Sequence, residues 1–392
     1  MAPERSVTAR YLTVAAWLSL IVFAVTSTLL SVSLRHIGTD FGAGYAQRGA
    51  LSLVRAVVLA FSALIVGRAA DWLGKKWFLS IGMAVTAFGL AWAGFSQSYW
   101  WLLAGMVFIA AGLGSLEALV SPLVAELQPE KVAPNMNLLH AFYPAGIVLT
   151  SPLVGGALDA GVAWQLPFGL AAAPALLVAA LFATGRYPDA EKADRKRPMA
   201  LGLILKNPRF WLLAVAMVLG AGCEGSLFYW TPNFIETEYG KAALVGAAGL
   251  MLYSGTMAVG RFGMGIVTRF VSLNRMLVVL AAVGALASGA LALVDSLPAT
   301  LVLLGVAGLC VASFWPGTLS LAARDISVSS STVYAMLAMA GIFGFGFAPY
   351  GVGLVGEWWG LRAGLWVVPC AFIGATVIFT MALRGAERPR QS

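Results

Sequence analysis

Charge is scarce in this chain of 392 residues: Asp, Glu, Lys and Arg together make up 11% of it. A soluble domain carries about a quarter, so an ordinary water-facing surface is excluded. Histidine is nearly absent, at two residues, and the three cysteines, Cys223, Cys310 and Cys370, each fall in an apolar stretch. None has a partner at metal-ligand spacing; they read as packing residues, and no metal site is expected. The sequence has no phosphate-binding glycine loop and no hydrolase motif, which argues against direct ATP coupling, against an enzyme and against a cofactor other than an ion gradient. Seventeen acids against 25 bases leave a net charge of +8. Such a balance suits nucleic acid binding, but its distribution points elsewhere.

What is abundant is apolar surface: 60% of the residues are hydrophobic and the mean hydropathy is +0.86. A membrane helix needs roughly 20 apolar residues. Twelve such runs occur, near 12–34, 46–68, 77–96, 100–125, 135–158, 163–184, 209–235, 243–267, 273–294, 299–322, 331–356 and 363–384. The first follows a short polar start without a small-residue cleavage site and is too long for a signal segment, so it reads as a permanent helix. With both termini in the cytoplasm, Lys and Arg crowd into the cytoplasmic loops. The outer loops hold only Arg35, Arg48, Lys241 and Arg362, and Arg55 and Arg261 lie inside runs. That asymmetry is the positive-inside rule. The basic charge is therefore topology plus attraction to anionic lipid. The expected partners are the lipid bilayer and a small-molecule substrate, not nucleic acid, and the expected working unit is a monomer.

Between the second and third runs stand Gly67, Asp71, Gly74, Lys75 and Lys76, in the pattern G-x-x-x-D-x-x-G-K/R-K/R. The glycines permit close helix approach and a tight turn, Asp71 can meet the positive end of another helix, and the lysines keep the loop cytoplasmic. The pattern resembles the loop between helices 2 and 3 of the major facilitator superfamily, which implies a cytoplasmic gate built on these residues. The one long polar stretch, 185–208, divides the chain into an N-terminal six-helix bundle (1–184) and a C-terminal one (209–392), joined by a cytoplasmic linker. An offset of 198 residues superposes the halves, carrying Gly67 onto Gly265 and Asp71 onto Arg269. Arg269 thus belongs to a degenerate second copy of the gate. The expected fold class is an all-α membrane protein, with twelve transmembrane helices in two pseudo-symmetric six-helix bundles, the major facilitator fold. Substrate is expected near the midplane between the halves.

Two carboxylates fall within apolar runs, Glu117 in the fourth and Glu224 in the seventh. A buried ionisable group is costly and defaults to a functional reading, here loading and releasing a proton; the alternative is a structural acid neutralised by Arg. The offset places Thr26 opposite Glu224 and Trp315 opposite Glu117, so each acid has a neutral counterpart in the other half. Asn137, His140 and Tyr143 recur at i, i+3 and i+6 and share one helix face. His140 either meets a hydroxylated ligand or packs. Tyr229, Trp230 and Asn233 follow Glu224, and with Trp315 and Tyr334 they offer rings and amides suited to a sugar. The alternative is an interfacial belt, the reading preferred for Trp100, Trp101, Trp358 and Trp359. Arg55, about nine residues down its helix, needs an acid, a substrate anion or water; Arg261 reads as structural.

Several segments resemble the fucose/galactose/glucose–proton symporter branch. Leu116, Glu117 and Pro122 followed by Asn137, Leu138, Phe142 and Gly146 are similar to its L-E-x-x-x-N-P and N-L-x-x-x-F-x-x-x-G. Gly222, Glu224 and Ser226 resemble its G-A-E-x-S, Gly260, Arg261 and Phe262 its G-R-F, and Phe314 to Ala322 its F-P-x-x-x-S-L-A with one residue inserted. The resemblance implies proton-driven sugar uptake with Glu117, Asn137 and His140 at the sugar. The chain departs from the branch at Thr26, Ser27 and Thr28, which include no acid, at Ser121 in place of Asn, and at His140 in place of Gln. The expectation is thus a multi-pass protein of the bacterial inner membrane. It takes up a small polar substrate, most simply a sugar, with protons by alternating access. Two alternatives stay open: a proton-coupled exporter of drugs or amphiphiles, and an organic-anion carrier using Arg55.

Overall fold

The computed structural model describes residues 3–187, 201–326 and 330–387. Most of the 185–208 linker therefore lies outside the described residues. Among the described residues, twelve helices are long and apolar enough to cross a membrane: α1 (Arg10–Phe41), α2 (Tyr45–Ala70), α3 (Lys75–Gly94), α4 (Tyr99–Leu127), α5 (Leu138–Asp159), α6 (Gln165–Thr184), α7 (Pro208–Glu238), α8 (Ala243–Met264), α9 (Leu273–Leu293), α10 (Leu297–Asp325), α11 (Thr332–Trp359) and α12 (Leu361–Leu383). No strand occurs among the described residues. Helices dominate because lipid offers backbone polar groups no partner, so each span must satisfy its own.

Local chemistry sets the boundaries. Ser98 caps α4 by accepting from the Trp101 N–H at 3.3 Å. Asn207 caps α7 by accepting from Arg209 N–H at 2.9 Å, with Pro208 at the first helical position, where its missing donor costs nothing. Gly74 turns α2 into α3 at φ +84°, a value that a side chain disfavours. Two details differ from expectation. The run 299–322 reads as one helix but breaks into Leu297–Val311 and Phe314–Asp325, because Pro316 lacks an N–H and its ring crowds the carbonyl of Ala312. The first helix runs on past residue 34 to Phe41, its polar end tied down where Trp164 Nε1 donates to Asp40 Oδ2 at 2.7 Å.

By packing, the chain forms two compact units. One comprises Met1–Ala43, Val54–Arg195 and Ala242–Ala248; the other comprises Gly44–Leu53, Lys196–Lys241 and Gly249–Ser392. Each takes its main body from one half of the sequence and a short helix opening from the other. In the first unit α1 packs on α4, α5 and α6, and α3 lies against α4 and α6. In the second, α7 packs on α10, α11 and α12, and α9 lies against α10 and α12. A six-helix shift converts one pattern into the other, so the repeat seen in the sequence is also a repeat of packing. Small residues make the contacts close: Gly112 meets the Gly82 carbonyl and Thr86, Gly94 meets Gly169, and Gly344 meets the Val218 backbone. Dispersion between closely approached backbones is what binds helices where lipid removes the hydrophobic drive. Trp100, Trp358 and Trp359 stand exposed at helix ends, the position of an interfacial belt.

Candidate functional site

In the first unit, α1 and α2 bring three polar groups together. Arg55 Nη2 donates to Ser27 Oγ at 2.7 Å and to Thr26 Oγ1 at 3.1 Å. Both hydroxyls send their own protons to the Phe23 carbonyl, at 2.8 Å from Thr26 and 3.0 Å from Ser27, so their lone pairs face the guanidinium. That back-bonding to the preceding turn is open to Ser and Thr in helices. The Phe23 ring lies 5.7 Å from the guanidinium carbon and meets the Tyr143 ring edge-on at 5.7 Å. Thr26, Arg55 and Tyr143, placed together here, were all site candidates from sequence.

Glu117 lies in the middle of α4 and its side chain is exposed. It has no hydrogen bond or ion pair to a described residue. Pro122 removes the backbone donor that would bind the carbonyl of Ala118, which leaves a polar backbone group beside this acid. Ser121 stands one turn on, on the same helical stripe, and its Oγ lies 3.5 Å from His140 Nε2 on α5. Asn137 lies in the helix leading into α5, and its side chain is outside the described residues.

Glu224 in the second unit has a different setting. It is buried, and Arg261 of α8 donates to its Oε1 at 3.1 Å. Tyr253 donates to the Glu224 backbone carbonyl at 3.2 Å. The offset of 198 carries Thr26 onto Glu224 and Arg55 onto Tyr253, so both units join α1 or α7 to the following helix at the same level. The structural reading of Arg261 thus acquires an acid partner, while Arg55 meets hydroxyls.

Further along α7, Tyr229 donates to the Arg48 carbonyl at 2.6 Å and Trp230 Nε1 to the Pro349 carbonyl at 2.8 Å. Asn233 accepts from Arg48 Nη1 at 3.3 Å, while its Nδ2 is buried without a partner among the described residues. All three side chains are buried. Trp315 and Tyr334 are half-buried, and Trp315 covers Gly341 of α11. Sequence reasoning missed Glu236, which is 1% exposed. Of the two carboxylates expected to be buried in apolar runs, Glu224 is buried and Glu117 is exposed on its helix; Glu236 was hidden because the apolar run was closed at 235, three residues before α7 ends.

At the predicted gate, Lys75 pairs with Glu126 of α4, Lys76 sits 6.0 Å from the Trp77 ring, and a Cβ on Gly67 would come into ordinary contact with Ala118. Arg269 is exposed in the turn after α8, and the Asp71 side chain lies outside the described residues.

A family profile, that of the Major Facilitator Superfamily, matches residues 16–303. The chain belongs to that superfamily. Among curated proteins it is similar to a cis,cis-muconate transport protein of Acinetobacter baylyi, 25% identical over 57% of this chain and 58% of that protein. It is also similar to myo-inositol transporter 2 of Schizosaccharomyces pombe, 24% identical over 42% of this chain and 30% of that one. The chain thus spans between about a third and somewhat over half of these curated relatives. Among solved structures it shares its fold with a bacterial homologue of the human lysosomal transporter Spinster. The TM-score is 0.81 at 18% identity, covering 100% of both chains. A D-xylose–proton symporter gives a TM-score of 0.74 at 14% identity, covering 94% of this chain and 96% of that one. All four are named as transporters, none as an enzyme.

Proposed function

We propose that this superfamily member carries a small hydroxyl-rich solute into the cell together with a proton, alternating access between its two six-helix halves. The observation that carries the reading is Glu117. A carboxylate at bilayer depth costs on the order of 3 kcal/mol when charged, and this one is exposed on its helix with no ion pair to a described residue. A proton, or a solute hydroxyl that donates to it, removes that cost. Ser121 and His140 supply further donors and acceptors on the same side, as a polyol requires. The inositol transporter and the xylose–proton symporter among the relatives support the same class. Glu224 is the lesser proton carrier, because Arg261 already compensates its charge.

A second reading rests on Arg55: a guanidinium held by two neutral hydroxyls has the geometry to take a carboxylate fork, and the muconate relative names such a substrate. Proteoliposomes holding the full chain separate the two. Under an imposed inward proton gradient, labelled xylose or myo-inositol is expected to accumulate. Glu117→Gln should abolish accumulation yet retain exchange of labelled for unlabelled solute, since exchange moves no net proton. Normal accumulation in that variant would overturn the assignment of Glu117. Uptake of muconate, lost in Arg55→Ala, with no response to polyols would install the second reading. Efflux of a lipophilic dication alone would replace both.

A further inference from the structure

Two acids that the transport reading leaves unused sit at the ends of α5 and α11. Asp159, the last residue of α5, accepts from the Ala243 N–H through Oδ1 at 2.8 Å and from the Leu244 N–H through Oδ2 at 3.0 Å. Those are the opening residues of α8. Glu357, near the end of α11, accepts through Oε2 from the Ala46 N–H at 3.1 Å, in the first turn of α2. The offset of 198 carries Asp159 onto Glu357 and Ala46 onto Leu244. The same contact is therefore made twice, by residues that the internal repeat relates, once within each packing unit.

A second repeated feature stands one turn earlier. Gly155 and Gly353 are again 198 apart. A Cβ on Gly155 would strike Ala247 and the Leu244 backbone, and one on Gly353 would strike the Tyr45 carbonyl. Glycine at i brings the two helices together, and the carboxylate at i+4, on the same face, takes the orphan donors and the positive end of the incoming helix. In sequence the device is G-x-x-x-D/E closing the fifth helix of each half. Both carboxylates are exposed, so releasing them returns them to water. A contact that forms over donors with no other helical partner, and breaks into solvent, is reversible.

We infer that Asp159 and Glu357 are twin latches. They hold the openings of α8 and α2 against the ends of α5 and α11 on the face opposite the termini, the outer face in the topology read from the loops. Both must let go for that face to open. This rests on the alternating-access reading but not on the substrate, and its test needs none. The reporter is Ser52→Cys in a Cys370→Ser background; Ser52 is 6% exposed in the opening segment of α2, its Oγ 3.4 Å from the Phe345 carbonyl. The rate of its modification by a bulky water-soluble maleimide is measured on detergent-purified full chain, alongside the melting temperature. Asp159→Asn combined with Glu357→Gln is expected to raise that rate roughly fivefold, and each single variant less, in line with the modest worth of one helix-end charge. If the double variant yields no folded protein, the two singles carry the comparison. An unchanged rate overturns the proposal, and so does a lowered melting temperature with no gain in reactivity, since both describe simple helix caps. The labelling can fail while the Glu117 test succeeds, and the reverse, so the two readings stand or fall separately.

Discussion

Replacing Arg261 by Met isolates the worth of the acid–base pair that Glu224, a predicted site residue of α7, forms with α8. The Glu224 side chain is 10% exposed and that of Arg261 30%, and their contact is a single bond at 3.1 Å. Removing one partner of a buried pair costs about 3–5 kcal/mol, because the other charge stays behind uncompensated. The arginine is 30% exposed, so the cost is discounted below that range, to about 2–3 kcal/mol. Methionine keeps the apolar stem, which confines the loss to the charge. At about 2 °C per kcal/mol for a large chain, the apparent melting temperature in detergent should fall by about 4–6 °C. Glu224→Gln should cost less, about 1–2 kcal/mol, since the guanidinium is the wetter partner. The double variant removes both charges and should recover most of the loss, giving a coupling of about 2 kcal/mol. A thermal-unfolding cycle over the four proteins reads this directly. Additivity within about 0.5 kcal/mol would refute the reasoning: the contact would then carry no energy, and the ground for preferring Glu117 over Glu224 would fall.

Two further outcomes follow from the packing. Gly112→Leu sets a side chain against the Gly82 carbonyl and Thr86 at the α3–α4 contact; overpacking costs about 1–3 kcal/mol or more, so the yield of monodisperse protein on size exclusion should fall sharply, whereas Gly202→Leu, with open space around it, should leave it unchanged. Asp325 accepts from Arg209 Nε at 2.8 Å and Nη2 at 2.5 Å, with Arg324 on its other oxygen. Asp325→Ala should therefore lower stability by about 2–4 kcal/mol, as losing the acid of a partly buried cluster does, and a melting temperature within 1 °C of the parent would contradict it.

The architecture was legible in the sequence because a bilayer imposes a length. Any span must present about 20 apolar residues, so the runs, their number and the long polar stretch between the halves can be read off directly. The repeat was legible for the same reason, and so was Glu117, since an acid inside such a run is rare. Gly74 could be assigned to a tight turn from its motif, and its φ of +84° is of the kind that glycine allows. Pro316 carried the signal for the break in α10, though hydropathy alone reads straight across it.

Partner choice was not legible. Hydropathy measures depth but holds little phase: a helix apolar all round gives no sign of which face meets which neighbour. Whether Glu224 would meet Arg261, 37 residues away on the next helix, or Arg55 would meet Thr26 and Ser27, depends on how each helix is rotated about its axis. Rotation is set by which small residues let backbones close together, and that is a property of pairs of helices. The same holds for Asp159 and Glu357, which in sequence are charges at loop edges and become repeated contacts only once α8 and α2 arrive beside them. The sequence by itself therefore determined how many times the chain crosses the bilayer, the repeat and the depth of its acids; the tertiary structure alone decided which charges are compensated, because compensation needs a neighbour within about 3 Å and only packing supplies one.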